Sequence, residues 1–320
     1  MDDRFGGLSV RSAYAAGLTV RVLARPYAHR MTRSPAGRHR ASSTARLASL
    51  GVIAAILAGC GRVDELAYQP PTTPAEWCAQ RPCVEFGSVV VTEPWSSALV
   101  FALALLWLGV GIYFLASRRG QRSRTWFGVS LVLGGLAAGS AGISYQAFSY
   151  ELKCAGREVC ALTNGYEIAY SLLQVASMSA MVVSVAYALA MPRARRAIAI
   201  YAVLNFVVYV AVTVAGILMP SAFLLSFELL LLFAVPALVI AAVLAVRRWQ
   251  VPLARRILWV LVLLVLVQVA YLVYFALGIT ESLWASGIYF SANDVLHVGM
   301  LAWLAITAWA LGSSLEDRPA

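Results

Sequence analysis

The chain has 320 residues, of which 61 % are hydrophobic and only 12 % charged, with a net charge of +10. That balance excludes an ordinary water-soluble domain and suits a bilayer, whose hydrocarbon core accepts apolar helices of ~20 residues with internally satisfied backbones. The basic residues are nearly all arginine and cluster in an N-terminal stretch and in short connections between apolar runs. Their placement carries topological information, so no nucleic-acid partner is expected.

In chain order, residues 31–60 come first as a recognisable unit. Arg33, Arg38, Arg40 and Arg46 precede a short apolar run from Leu47 to Leu57, which ends in Leu57-Ala58-Gly59-Cys60. A basic stretch, a short apolar core and small residues make a signal peptide over 1–59, because the run is too short to span a bilayer. The Leu-Ala-Gly-Cys ending resembles a bacterial lipobox, in which Cys60 is acylated and becomes the mature N-terminus. The alternative is an uncleaved apolar anchor. Met31 stands where a usual leader begins, so residues 1–30 are either an over-called start or a long basic region.

An extracytoplasmic segment is expected over 60–94, opening with a Pro/Thr-rich stretch from Gln69 to Pro74. The remaining cysteines form two close pairs, Cys78/Cys83 and Cys154/Cys160, both in polar segments. Pairing within each segment is the economical expectation in an oxidising compartment, with four free thiols as the alternative.

Seven apolar runs follow, over approximately 95–117, 125–149, 164–190, 197–219, 222–246, 256–278 and 292–313. They predict an all-α, polytopic fold with a seven-helix transmembrane domain over 95–313 and a short tail over 314–320. Arginines follow spans one (Arg118, Arg119, Arg122, Arg124), three (Arg193, Arg195, Arg196) and five (Arg247, Arg248, Arg255, Arg256), whereas the intervening loops hold Lys153 and Arg157 alone. The positive-inside rule then puts the N-terminus outside and the C-terminus inside, in agreement with the leader and the cysteine pairs. The expected location is the bacterial inner membrane.

Ionisable groups in hydrocarbon are costly and mark either a site or a tightly paired structural element. Here they gather in the outer half. Ser140, Ser144 and Gln146 lie where span two exits, Glu167 where span three enters, and Glu228 about seven residues into span five, roughly 10 Å deep. Span seven opens Asn293-Asp294-Val295-Leu296-His297, with Asp294 and His297 three residues apart on one helical face. Each has a plain structural explanation: Asp294 as a helix cap, His297 as a hydrogen-bonding core residue. Glu228 is harder to dismiss, because a mid-span acid must be protonated or paired, for instance with His297.

This order of features resembles the alkaline ceramidase branch of the CREST superfamily of seven-helix intramembrane hydrolases. The resemblance rests on Glu76-Trp77-Cys78 and Glu93-Pro94-Trp95-Ser96-Ser97 before and into span one, and on Gly139-Ser140 in span two. It also rests on Glu167 at the start of span three and on the Asn293/His297 spacing in span seven. It implies a site in the outer half, with Ser140 stabilising an oxyanion, and a zinc ion held by three histidines. The chain departs from that pattern, because Ser144 (or Gln146) and Asn293 stand at two histidine positions and His297 is the one histidine after Cys60. A three-histidine zinc site is therefore impossible. Glu167, Glu228, Asp294 and His297 would instead offer a carboxylate-rich set for a harder divalent cation, with a metal-bound water as nucleophile. By the same resemblance, Glu76, Glu85 and Glu93 would make an accessory calcium site.

Three functions are compatible with these residues. The first is a lipid amide or ester hydrolase with a non-standard metal site. The second is a non-catalytic membrane protein that binds a lipid or senses a signal. The third is a solute or proton transporter relaying through Glu228 and His297. Membrane lipids are the expected partners of the first two. A retinal protein is excluded, since the sole lysine, Lys153, lies in a loop.

Overall fold

The structure is a computed structural model that describes residues 62–63 and 65–319. The leader and Cys60 lie outside the described residues. From Thr73 onward the chain forms α1 (Pro74–Ala79), an antiparallel hairpin of β1 (Cys83–Phe86) and β2 (Val89–Thr92), and α2 (Pro94–Ala116). Next come α3 (Arg122–Ala141), which runs into a π-helical turn (Gly142–Ala147), and the short α4 (Ser149–Lys153). Helices α5 (Gly165–Leu189), α6 (Pro192–Leu218), α7 (Phe227–Arg247) and α8 (Pro252–Ala276) follow, then the short α9 (Ile279–Ala285) and α10 (Ala292–Leu311).

Seven of these helices are long and apolar enough to cross a membrane: α2, α3 with its π-turn, α5, α6, α7, α8 and α10. The chain is a multi-pass, all-α membrane protein. Its surface supports the same conclusion. Ile200, Val203, Leu204 and Val207 on α6, and Trp259, Val265, Leu266, Leu272 and Phe275 on α8, are all more than half exposed. In water such a surface would drive aggregation; in a bilayer it is the solvated face.

Helix packing makes a ring. Helix α2 packs on α3, α3 on α5, α5 on α7, α7 on α8, α8 on α10, and α10 back on α2, while α6 lies outside against α5. The α2–α3 seam is close because it is built from glycine. A Cβ on Gly111 would lie 2.9 Å from the Val132 backbone nitrogen, and one on Gly128 would lie 2.9 Å from the Gly111 carbonyl oxygen. Small residues let helix backbones approach where apolar burial gives no net drive between helices. Gly142 serves the π-turn in the same way, since a Cβ there would meet Val100 Cγ1 at 2.6 Å.

The two ends of the bundle are built differently. One end carries α1, the hairpin, α4 and both disulfides, Cys78–Cys83 and Cys154–Cys160, with S–S distances of 2.06 and 2.03 Å. Trp77, Cys154 and Cys160 are buried together there against Tyr68 and Tyr150. The Val90 amide donates to Glu151 Oε1 at 2.7 Å, tying the hairpin to α4.

The other end carries the arginine connections and a structured tail. The Arg122 and Ser123 amides donate to Asp317 at 2.9 and 2.6 Å, so the tail carboxylate caps α3. Arg318 Nη1 donates to the Leu189 carbonyl at 3.0 Å. Buried Arg124 donates to the Gly312 carbonyl and to Ser117 Oγ, both at 2.6 Å. Leu315, fully buried, helps close an apolar cavity of about 50 Å³ inside the ring. Ser130, Ser177 and Ser184 also line it, but Ser177 and Ser184 donate to the Ser130 and Ser123 carbonyls at 2.8 Å, and Ser130 and Ser177 Oγ lie 3.3 Å apart. That leaves the cavity effectively apolar.

Candidate functional site

The polar residues of the spans concentrate at the disulfide end, as their sequence positions imply, but they separate into two clusters. The first is centred on Glu167 in the opening turn of α5. Asn164 caps that helix, its Oδ1 accepting from the Tyr166 and Glu167 amides at 2.9 and 3.4 Å. Its Nδ2 donates to Ser144 Oγ at 2.7 Å, and Ser144 Oγ donates to Glu167 Oε1 at 2.8 Å. Lys153, at the end of α4, forms a direct ion pair with the same carboxylate oxygen. Both side chains are almost wholly buried, at 1 % and 5 % exposure. Lys153 Nζ also donates to Tyr68 OH at 2.9 Å and to the Leu162 carbonyl at 3.1 Å, within the ring faces of Tyr68, Trp77 and Tyr145. The ammonium thus uses its donors and the carboxylate has a counter-charge. A buried pair survives under those conditions.

The second cluster lies where α2 and α10 begin. Asp294 forms a capping box with Ser291: its Oδ2 accepts from the Ser291 amide at 2.6 Å, and the Asp294 amide donates to Ser291 Oγ at 3.3 Å. Its Oδ1, in a residue with no exposure, makes no hydrogen bond. One turn on, His297 is buried with Nδ1 unpartnered. Glu93, the N-cap of α2, is buried and adopts a left-handed backbone at φ 47°, a conformation that costs a non-glycine residue energy. Arg81 approaches its carboxylate at 3.7 Å while stacking on Trp77 at 3.9 Å. Burial pushes the Glu93 carboxyl above its ordinary value of 4.5. The Arg81 guanidinium opposes that shift, the Asp294 carboxylate adds to it, and the Ser96 hydroxyl opposes it. Glu93 and Asp294 thus stand at the starts of two helices that pack on one another. Thr92 Oγ1, next in the chain, is likewise buried and unpartnered.

The residues singled out in the sequence are thus distributed unevenly. Glu167 belongs to the first cluster, Asp294 and His297 to the second, and no hydrogen bond or ion pair joins the two among the described residues. Glu228 belongs to neither. Helix α7 begins at Phe227 instead of at 222, because Ser226 caps it, its Oγ accepting from the Leu229 amide at 3.2 Å. Glu228 therefore occupies the first turn and is exposed, not buried mid-span. Ser140 is half-buried near the end of α3, one turn before Ser144. Glu76 accepts from the Thr73 amide and hydroxyl at 2.8 and 2.9 Å in a capping box, which holds its carboxyl below the usual range. Glu85 is exposed on β1, facing Val90 in the hairpin register. Among the described residues, no three His, Cys, Asp or Glu side chains are arranged to hold a metal ion.

The sequence assigns no site role to Lys153, which it places in a loop, nor to Asn164, Tyr68 or Arg81. A signal for Lys153 was present: it is the sole lysine in an otherwise arginine-only chain, beside a cysteine. Comparison with protein-family models, curated proteins and solved structures returns no match.

Proposed function

We propose that this chain is a seven-helix membrane protein that binds a membrane lipid by its head group at the disulfide end, through Asp294 and His297. The observation that carries this reading is the pair of buried, unpartnered atoms, Asp294 Oδ1 and His297 Nδ1, on one turn of a membrane-spanning helix. Buried polar atoms are ordinarily satisfied, and unsatisfied ones inside a span are expensive unless a ligand uses them. A lipid supplies the acyl chains that the exposed apolar surface solvates and a polar head at the depth of this cluster.

The reading keeps the resemblance to ceramidase-like proteins as a scaffold and sets aside their metal chemistry. Glu167 is neutralised by Lys153, Glu228 is exposed, and His297 is the one histidine among the described residues. The proposed orientation puts the disulfide end outside the cytoplasm, since arginine marks the opposite end and disulfides persist in oxidising compartments. Cleavage of the leader and acylation of Cys60 would tether the N-terminus on that same side.

The test is lipid retained through purification, quantified by mass spectrometry for the wild type, Asp294→Asn and His297→Leu. The wild type is expected to retain lipid and both variants to lose it. Equal retention by all three proteins would sink the reading. Lipid breakdown products that accumulate only with the wild type would show a hydrolase in place of a binding protein.

A further inference from the structure

The ring of helices is not closed along its whole length. Toward the arginine end, Leu238, Ala241, Leu244 and Ala245 of α7 share one apolar core with Ala254, Ile257, Leu258 and Leu261 of α8. Toward the disulfide end the two helices part. There Leu230 and Ala234 of α7 pack on Val175 and Tyr209 of α5 and α6, and α8 buries no residue beyond Val260. Leu231 lies on the same face of α7 as Leu238, and Gln268 and Phe275 continue the α8 face of Ile257, Leu261 and Leu264. Leu231, Gln268 and Phe275 are all exposed, so a lateral opening separates α7 from α8 over this half. At its base lies the apolar cavity of about 50 Å³, lined among others by Met178, Leu238, Ile257, Leu261, Leu264 and Trp303. One turn from the cavity, toward the disulfide end, two helices each present a glutamine. Gln174 is four residues from Met178 on α5, and Gln268 is four residues from Leu264 on α8. Neither amide makes a hydrogen bond to another described residue. In hydrocarbon an unpartnered amide is costly, and two of them above one apolar cavity call for a ligand that is polar at their level and apolar below it.

We infer that the opening between α7 and α8 admits an acyl chain of an ester-linked membrane lipid, whose carbonyl meets Gln268 and Gln174 and whose chain end enters the cavity. Each glutamine Nε2 carries two donors, and an ester carbonyl is an acceptor without a partner in hydrocarbon. Ile257 lies eleven residues below Gln268, roughly 16 Å at 1.5 Å per residue. That is about half of the ~30 Å hydrocarbon core, the depth that the chains of one leaflet fill. Ser130, Ser177 and Ser184 do not compete for the chain, because they hydrogen-bond one another or backbone carbonyls. The inference rests on the reading of the chain as a lipid-binding protein, but not on the contact of a head group with Asp294 and His297.

The test places the full chain in vesicles of phosphatidylglycerol doped with a phosphatidylglycerol that carries a diazirine at the end of one chain, in ester-linked and ether-linked forms. After illumination, the labelled residues are located by mass spectrometry. The ester lipid is expected to label Leu238, Leu261 and Leu264 inside the ring. Exposed Trp259 and Leu266 report lipid that merely surrounds the protein. The ether lipid, which lacks the carbonyl, should label the interior several-fold less, the size of one hydrogen bond. Gln268→Leu, at an exposed position, should bring the ester lipid down to the ether level. Leu261→Trp, which fills the cavity, should abolish interior labelling and leave Trp259 and Leu266 labelled. Label confined to Trp259 and Leu266 in the wild type overturns the inference. Equal interior labelling by both lipids, unchanged in Gln268→Leu, overturns the assignment of the carbonyl to the glutamines. The head-group reading fails separately: purified wild type and His297→Leu would then retain lipid equally, whatever the interior labelling. If His297→Leu loses its lipid while no cavity residue is ever labelled, that reading stands and this inference falls.

Discussion

Two polar clusters sit at the same end of one bundle, and they resolve the cost of buried polarity in opposite ways. Around Glu167, the carboxylate meets Lys153 and Ser144, while Lys153 also meets Tyr68 and a backbone carbonyl. Around Asp294, the capping box is complete, yet Asp294 Oδ1, His297 Nδ1 and Thr92 Oγ1 are left without partners. The first cluster clamps α4 and its disulfide-closed loop onto α5. The second spends stability on atoms that do nothing for the fold. Burial alone does not separate the two clusters; satisfaction of the buried charges does.

The contrast is open to attack by mutation, beginning with the clamp. Lys153→Met leaves Glu167 buried beside no cation, and breaking a buried pair typically costs about 3–5 kcal/mol. A large loss of thermal stability in detergent is expected, and Lys153→Met combined with Glu167→Leu should recover most of it. If the single variant melts like the wild type, the clamp has been misread.

At the opposite end, Asp317→Ala removes an acceptor from two amides of α3, and loss of such a cap costs about 1–2 kcal/mol. A clear fall in melting temperature would confirm that the tail is part of the fold; insensitivity would reduce it to an appendage. Smaller still is the expected effect of His297→Leu on stability, within about 1 kcal/mol in either direction, because an unpartnered polar group is exchanged for an apolar one. Unfolding midpoints across the two variants separate these cases.

The smallest effect is in pH. Glu93 holds its proton more tightly in the folded chain than the ordinary value of 4.5. Its contribution to stability is complete below that ordinary value and is lost as pH rises through the window up to the raised value. Glu93→Gln, which cannot ionise, should flatten this part of the stability–pH curve relative to the wild type. A wild-type curve that rises over the same window through Glu93 would contradict the direction.

The fold was largely legible in the sequence, because a hydrophobic run of span length leaves the backbone little choice but a helix. The runs at 95–117 and 292–313 correspond to Pro94–Ala116 and Ala292–Leu311. The misplacement of Glu228 shows the limit of hydropathy. Residues 222–226 are apolar enough to continue a span, and only Ser226, as a cap, reports that the helix starts later. Both disulfides were legible from spacing. The Lys153–Glu167 pair was not, since hydropathy assigns Lys153 to a loop and says nothing about that loop folding back on the bundle. The tail was missed for the same reason: Asp317 and Arg318 look like a polar end until their contacts with α3 and α5 are seen. Asp294 and His297 stood out because a titratable pair at helical spacing inside an apolar run is costly wherever it points.

If the two clusters do separate work, one paired measurement separates them: melting temperature and retained lipid, determined together for Lys153→Met and His297→Leu. Lys153→Met is expected to lose thermal stability, whereas His297→Leu keeps its melting temperature and loses its lipid. Contradiction would come from His297→Leu melting as early as Lys153→Met while retaining lipid like the wild type.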